Sequence, residues 1–264
     1  MSAGLNQLLS PVVTAGILPE PFTVSDLVSR DFLVSRASKI YKQKTNLVAR
    51  LDSETGPLVI KLFGWRNPLH FLLSPASPSR AELSWRTANR LIEAGVRTPE
   101  PLFVYTHRKY GFIYANLYIS RSLEQHRSLR QFLKSKPDFA QAEKVIVDLA
   151  KNLSNMHEGG ILHRDLTPGN VLIDNQQKTY LVDLNRTVVR SKLTVSQCLH
   201  DLAKLNFKYR QPQLEQPLVE AFFQVYGRAT NQDVDWVRGY REKRQQLLNY
   251  RRRKVALKSL RFNK

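Results

Sequence analysis

"ILHRDLTPGNVLID", residues 161–174, runs from an apolar entry through a tight charged and polar stretch to an apolar exit. His163, Arg164, Asp165 and Asn170 stand between two segments that read as buried strands. Strand ends hold side chains still, and chemistry needs still side chains. A single aspartate in such a loop also reads as a turn or helix-cap residue, so the rest of the chain has to separate the two readings.

Two further short strands follow the loop's logic. "VLID" (171–174) and "YLVDL" (180–184) flank the turn "NQQK", and Asp183 ends the second of them. Asp165 and Asn170, five apart on one loop, and Asp183 beyond it are oxygen-bearing side chains. Two oxygen ligands at adjacent strand ends suit a hard cation such as Mg²⁺, with phosphates and water completing its shell. A further carboxylate beside them can take the proton of an attacking hydroxyl.

Upstream, "TNLVARLD" (45–52) and "PLVIKLFG" (57–64) alternate apolar and polar residues around "SETG" and predict a β-hairpin. Lys61 lies in its second strand, where alternate side chains share a face, and is the candidate cation for a phosphoryl donor. "SPSRAELSWRTANRLIEAG" (77–95) predicts a helix over 80–94, with Ser79 as N-cap and Gly95 as the stop. Glu82 on that helix is the natural acidic partner of Lys61, with Glu93 in reserve. "PLFVYTHRKYGFIYANLYI" (101–119) predicts two more strands around "RKYG". "LRQFLKS" and the longer "DFAQAEKVIVDLAKNLSNMHEGG" read as helices, the second capped by Asp138 and ended by Gly159-Gly160.

The expected fold class is therefore α+β. A small antiparallel β-sheet lobe carrying one helix occupies 1–120, with the N-terminal segment. A larger, mainly helical lobe occupies 121–264. No repeat or low-complexity linker divides them.

The chain has 264 residues, 42% of them hydrophobic, enough for a sizeable core. Its one cysteine, Cys198, cannot form an internal disulfide, and no Cys/His cluster has zinc-site spacing. No apolar run approaches the roughly 18 residues of a membrane span. No Lys or Arg precedes the short apolar stretch near the N-terminus, so a cleaved signal peptide is not expected. These features predict a cytoplasmic protein. The net charge of +19 suits nucleic acid, an anionic bilayer or a phosphorylated small molecule.

The order Lys61, Glu82, His163-Arg164-Asp165, Asn170, Asp183 resembles the protein-kinase-like superfamily: a "VIK" lysine, a helix glutamate, an H-R-D-x-x-x-x-N loop and a metal-binding aspartate. The resemblance spans roughly residues 32–190 and implies a bilobal protein-kinase-like fold. It further implies Asp165 as catalytic base, Asn170 and Asp183 as Mg²⁺ ligands, Lys61 on the α/β-phosphates of ATP and Glu82 orienting it. His163 would brace the loop.

The chain departs from that pattern in three places. No G-x-G-x-x-G precedes the hairpin, where "RASKIYKQKTN" stands and offers Lys42 and Lys44 instead. Leu184-Asn185 follows Asp183 in place of Phe-Gly. No long peptide-docking segment follows it, which points to a small or lipid-linked acceptor.

"RAELSWRTANRLIEAGVRTPEPL", "HRDLTPGNVLI" and "LVDLNR" are similar to the Kdo/WaaP (InaA-like) lipopolysaccharide kinases. That resemblance implies phosphorylation of a Kdo or heptose hydroxyl of the lipopolysaccharide inner core, at the inner face of the cytoplasmic membrane. Two other functions remain open: an atypical Ser/Thr protein kinase or RNA-associated kinase/ATPase of the same fold, and a pseudokinase scaffold.

From Trp236 onward the chain carries eleven Lys/Arg against one Glu, interleaved with Trp236, Tyr240, Leu247, Leu248, Tyr250, Leu257 and Leu260. Such a segment can lie on an anionic membrane, grip RNA phosphates, or pack its apolar stripe on the larger lobe.

Overall fold

Alternation of buried and half-buried residues along 47–53 and 56–62 builds the heart of the principal sheet. In the computed structural model, which describes residues 12–64, 71–72, 74–205, 207, 212–230 and 233–262, the chain divides into two compact units. One comprises residues up to 93, 98–124 and 183–186; the other comprises 94–97, 125–182 and 187 onward. The N-terminal stretch considered for a signal peptide lies outside the described residues as far as Pro11, as do the side chains of Leu257 and Leu260.

The first unit is an antiparallel six-stranded sheet. Its strands are β1 (Val12–Gly16), β2 (Lys39–Gln43), β3 (Leu47–Ser53), β4 (Gly56–Leu62), β5 (Pro101–Lys109) and β6 (Phe112–Arg121), in the order β1-β5-β6-β4-β3-β2. β3 and β4 pair from Leu47↔Leu62 to Ser53↔Gly56, so the expected hairpin turns at Glu54-Thr55. Between β5 and β6 the turn falls at Tyr110-Gly111, both in the left-handed region at φ 52° and 82°, as a tight hairpin of right-twisted strands requires.

Leu47, Ala49 and Leu51 of β3 and Leu58, Ile60 and Leu62 of β4 point to one face and bury against α1 (Val24–Val28) and α2 (Arg30–Arg36). Thr23 and Asp26 close a capping box on α1, and Ser29 caps α2. The opposite face, which carries Lys61 and Phe63, takes α3 (Arg80–Glu93). Ala81, Ser84, Ala88 and Leu91 recur at helical spacing on its buried side, small enough to bring the helix close to the strands.

α3 is also held electrostatically. Arg108 of β5, 1% exposed, donates to Glu82 Oε1 at 3.1 Å and to the carbonyl oxygens of Ser74 and Ser77, both at 3.2 Å. The pair expected from the sequence, Lys61 with Glu82, is thus replaced. The antiparallel register of β5 brings a buried guanidinium to the glutamate, and a planar fork with several donors satisfies a buried carboxylate better than an ammonium does.

In the second unit, the long helix α5 (Phe139–Glu158) packs against α7 (Pro212–Thr230). Asp138 caps α5 by accepting the Gln141 amide at 2.8 Å. The short α4 (Leu129–Lys134) follows β7 (Arg127–Ser128), which pairs with β9 (Val171–Ile173) beside β10 (Thr179–Leu181). β8 (Ile161–Leu162) pairs with β11 (Val188–Val189). Gly160, at φ 72°, makes that pairing feasible, because a Cβ there would lie 2.0 Å from the Arg190 carbonyl oxygen.

α6 (Val195–Leu202) and α8 (Trp236–Phe262) complete the unit. Trp236 and Tyr240 are buried, against Tyr226 and Phe223 respectively, whereas Tyr250 is 63% exposed. The apolar stripe of the basic segment is therefore core at Trp236 and Tyr240, half-buried at Leu247 and Leu248 and solvent-facing at Tyr250.

Removing one partner of a buried pair leaves the other charge uncompensated. Arg108→Met is expected to lower unfolding free energy by about 3–5 kcal/mol, measured by urea denaturation. The double variant Arg108→Met/Glu82→Gln should lose less than Arg108→Met alone; an equal or larger loss would show that the two side chains are not coupled.

Candidate active site

Lys61 sits mid-strand on β4, on the α3 face, with its side chain only 13% exposed. A lysine so placed needs an anion, and its ammonium donates to Asp183 Oδ1, 122 residues further along the chain. Burial pushes the Lys61 pKa down; Asp183 opposes that shift, and the nearby Lys42 and Arg80 charges add to it. Lys42 thus contributes to the field around Lys61, although β2 carries it on an exposed edge. Asp183 itself adopts φ 67°, and its Oδ1 also accepts from the Asn185 side-chain amide. The Leu184-Asn185 sequence that departs from the kinase pattern therefore positions the carboxylate.

In the second unit the 161–174 loop is fixed from within. The Asp165 amide donates to His163 Nδ1 at 3.3 Å, which makes Nδ1 an acceptor. Nε2 then carries the hydrogen and donates to the Val182 carbonyl at 3.0 Å. This is a neutral, bracing imidazole, fully buried. The Asn170 side-chain NH₂ donates to the Asp165 carbonyl at 2.8 Å, and the Val182 amide donates to the Asn170 carbonyl at 3.0 Å. Asn170 thereby commits its NH₂ to the loop.

Sequence reasoning missed Asp201. Its carboxylate, 2% exposed, accepts the His163 amide on Oδ2 at 2.6 Å and the Arg164 amide on Oδ1 at 2.9 Å. Arg164 is held at φ 60°, a conformation that costs a non-glycine residue and persists only when its surroundings impose it. Lys204 Nζ adds a bond to the Arg164 carbonyl at 2.9 Å. The signal in "SQCLHDLAKL" was an acid on the apolar stripe of a helix, a place where charge is costly without a purpose.

Asp201 also faces His157, whose Nε2 is 3.7 Å away and whose Nδ1 lies 2.6 Å from the Tyr226 hydroxyl. Burial opposes a charge on His157, yet Asp201 and Cys198 outweigh it and raise its pKa to about 9. For Asp201, burial favours the neutral acid, and His157, by hydrogen bond and charge, with Lys204 holds the pKa below the ordinary carboxylate value.

The expected site residues thus form two constellations: Lys61 with Asp183 in the first unit, Asp165 with Asn170 in the second. Glu82 belongs with Arg108. Asp183 and Asn170 are hard oxygen donors. Among the described residues no group of three or more His, Cys, Asp or Glu side chains is arranged to hold a metal. Mg²⁺ commonly takes one or two carboxylates and fills its shell with phosphate oxygens and water, and each unit offers one hard oxygen donor of that kind, Asp183 in the first and Asn170 in the second.

The model of the lipopolysaccharide kinase (Kdo/WaaP) family matches residues 69–226. A 3-deoxy-D-manno-octulosonic acid kinase of Vibrio vulnificus (strain CMCP6) is 31% identical over 126 residues, 47% of this chain and 51% of that protein. Its counterpart in Xylella fastidiosa (strain 9a5c) is 27% identical, covering 44% of this chain and 45% of that protein. The chain spans about half the length of the curated relatives it matches first. The serine/threonine-protein kinase PknD of Mycobacterium tuberculosis is 32% identical over 42% of this chain and 17% of its own length. A solved structure of WaaP in complex with acyl carrier protein superposes with a TM-score of 0.61 at 19% identity, covering 91% of this chain and 97% of that one. It shows the shared α+β kinase-like fold.

The His157 shift has a definite sign. Its folded pKa of about 9 lies above the ordinary 6.5, so the stabilisation it brings is complete below pH 6.5 and lost as pH rises through 9. Unfolding free energy should fall across that window by up to about 3 kcal/mol, and His157→Gln should flatten the profile. Equal slopes in both proteins would contradict the assignment.

Proposed function

The chain belongs to the lipopolysaccharide kinase (Kdo/WaaP) family, and from that premise we propose that it is an ATP- and Mg²⁺-dependent phosphotransferase acting on a sugar hydroxyl of the lipopolysaccharide inner core. The observation that carries the reading is the Lys61–Asp183 pair: a cation for phosphate and a carboxylate for metal, held side by side by a strand and a left-handed turn. The Vibrio and Xylella relatives carry the name of a Kdo kinase, which makes Kdo the first acceptor to try.

In this reading Lys61 gives up part of its contact with Asp183 to bind the α/β-phosphates. Asp183 and Asn170 would hold Mg²⁺, which neutralises charge on the β- and γ-phosphates. Asp165 accepts the acceptor's proton as the sugar oxygen bonds to the γ-phosphorus and the bond to the β–γ bridging oxygen breaks, releasing ADP. His163, Asn170 and Asp201 keep Asp165 in place. Lipid-linked sugars of this kind are made at the inner face of the cytoplasmic membrane. Among the described residues no helix is long and apolar enough to cross a membrane; the exposed basic part of α8 would suit an anionic bilayer.

A second reading, an atypical Ser/Thr protein kinase, draws on the similarity to PknD. One assay separates the two: the full chain with γ-labelled ATP and, in parallel, Kdo–lipid A, RNA and a generic protein substrate. Label on Kdo–lipid A alone is expected. Asp165→Ala should lower kcat about 10²–10⁴-fold, and Lys61→Ala should abolish detectable turnover with the fold intact by circular dichroism. ATP consumption that leaves Kdo–lipid A unlabelled, or a near-normal rate in either variant, would overturn the reading.

A further inference from the structure

Beside the 161–174 loop, wholly within the second unit, lies a cavity of about 430 Å³ whose charge the proposed chemistry does not use. Arg164, Arg190, Lys204 and Lys243 line it, with His200 and one carboxylate, Asp201. They come from the loop, the residue after β11, the turn after α6, and α8, so the convergence is a product of the fold.

Asp201 offsets only part of that charge, one carboxylate against four cations: its Oδ1 lies 3.5 Å from Lys204 Nζ, while its two oxygens also accept loop amides. Lys204 is the one cation of the four bound to the loop, through the Arg164 carbonyl. His200 is kept neutral by the same field: burial, then Lys204, Lys243 and Arg164, lower its pKa against the opposing pull of Asp201. Cations gathered in a concave site repel one another, and an anion relieves that cost.

The cavity is also built rather than incidental. The Arg190 amide donates to the Gly160 carbonyl at 2.9 Å, and the Arg164 amide is clamped by Asp201, so the backbone of both arginines is fixed before any ligand arrives. Arg164 immediately precedes Asp165, their Cα atoms about 3.8 Å apart across one trans peptide. The cavity thus adjoins the proposed base along the chain through Arg164, one of its lining residues. The volume is large enough for a phosphorylated or carboxylated sugar ring and too large for a bare ion alone.

We propose that this cavity is the anion subsite of the acceptor, where Arg164, Arg190, Lys204 and Lys243 receive a phosphate or carboxylate group borne by the same glycolipid that is phosphorylated. The proposal deepens the reading above and rests on it. Arg190 and Lys243 would act as specificity-determining residues that select an acidic acceptor.

The test uses the full chain and the double variant Arg190→Gln/Lys243→Gln, with folding checked by circular dichroism. Acceptors are Kdo–lipid A, its dephosphorylated form and its carboxyl-reduced form. The variant should raise KM for Kdo–lipid A at least about tenfold, while KM for ATP serves as an internal reference and moves less than about twofold. Removing the recognised anion should cost the wild type a similar factor and cost the variant almost nothing, which identifies phosphate or carboxylate as the group bound. If the variant's penalty is the same on all three acceptors, or absent, the proposal is wrong.

Calorimetric titration of inorganic phosphate into both proteins reads the cavity without turnover, so it remains decisive if no lipopolysaccharide acceptor is phosphorylated. Binding weakened at least about tenfold in the variant supports an anion site even then, and equal affinity overturns it. Phosphate binding lost in the variant while acceptor KM stays constant would make this a free-phosphate site, and the acceptor assignment would fall.

Discussion

A buried ammonium cannot remain unpaired, and the pairing of Lys61 with Asp183 is the constraint on which the candidate site depends. The alternation of β4 sends Leu58, Ile60 and Leu62 into the core and leaves Lys61 on the face taken by α3. Asp183 meets it only because the chain leaves β10 in a left-handed turn and Asn185 supports the carboxylate. Depression of the lysine pKa by burial and by Lys42 and Arg80 marks an environment rich in positive charge, one that a polyphosphate would relieve.

The second constraint is Asp201, which acts on the loop as Asp183 acts on the lysine. By accepting two successive amides it holds Arg164, the residue before Asp165, in its strained conformation. His163 and Asn170 extend the arrangement to Val182, the residue before Asp183, through its carbonyl and its amide. A single backbone position, Val182, therefore ties the loop to the chain just before Asp183. Few of these bonds involve the groups that would do chemistry; they hold those groups still.

Much of this was legible in the sequence because it rests on local patterns. The β3–β4 and β5–β6 hairpins follow from alternation and turn residues, α3 from Ser79 and Gly95, and α5 from Asp138 and its apolar stripe. The H-R-D-x-x-x-x-N spacing indicated the loop. What escaped was either short or non-local. α1 and α2 span five and seven residues, too short for a periodic signal, although the Thr23–Asp26 capping box was there to be read. β1 is fixed by pairing with β5, some ninety residues away, and no local pattern records that. Glu82 was assigned to Lys61 because only distant register reveals Arg108 as its partner. Asp201 escaped because an acid on a short amphipathic helix reads as solvated until its burial is seen.

The central claim is that Asp183 trades its lysine for a metal ion when nucleotide binds, and calorimetric titration of ATP tests it most directly. With wild-type protein, Mg²⁺ is expected to tighten ATP binding at least about tenfold, a gain of about 1.4 kcal/mol. In Asp183→Asn that gain should vanish while metal-free ATP binding, carried by Lys61, survives. The same Mg²⁺-dependent gain in both proteins would contradict the account.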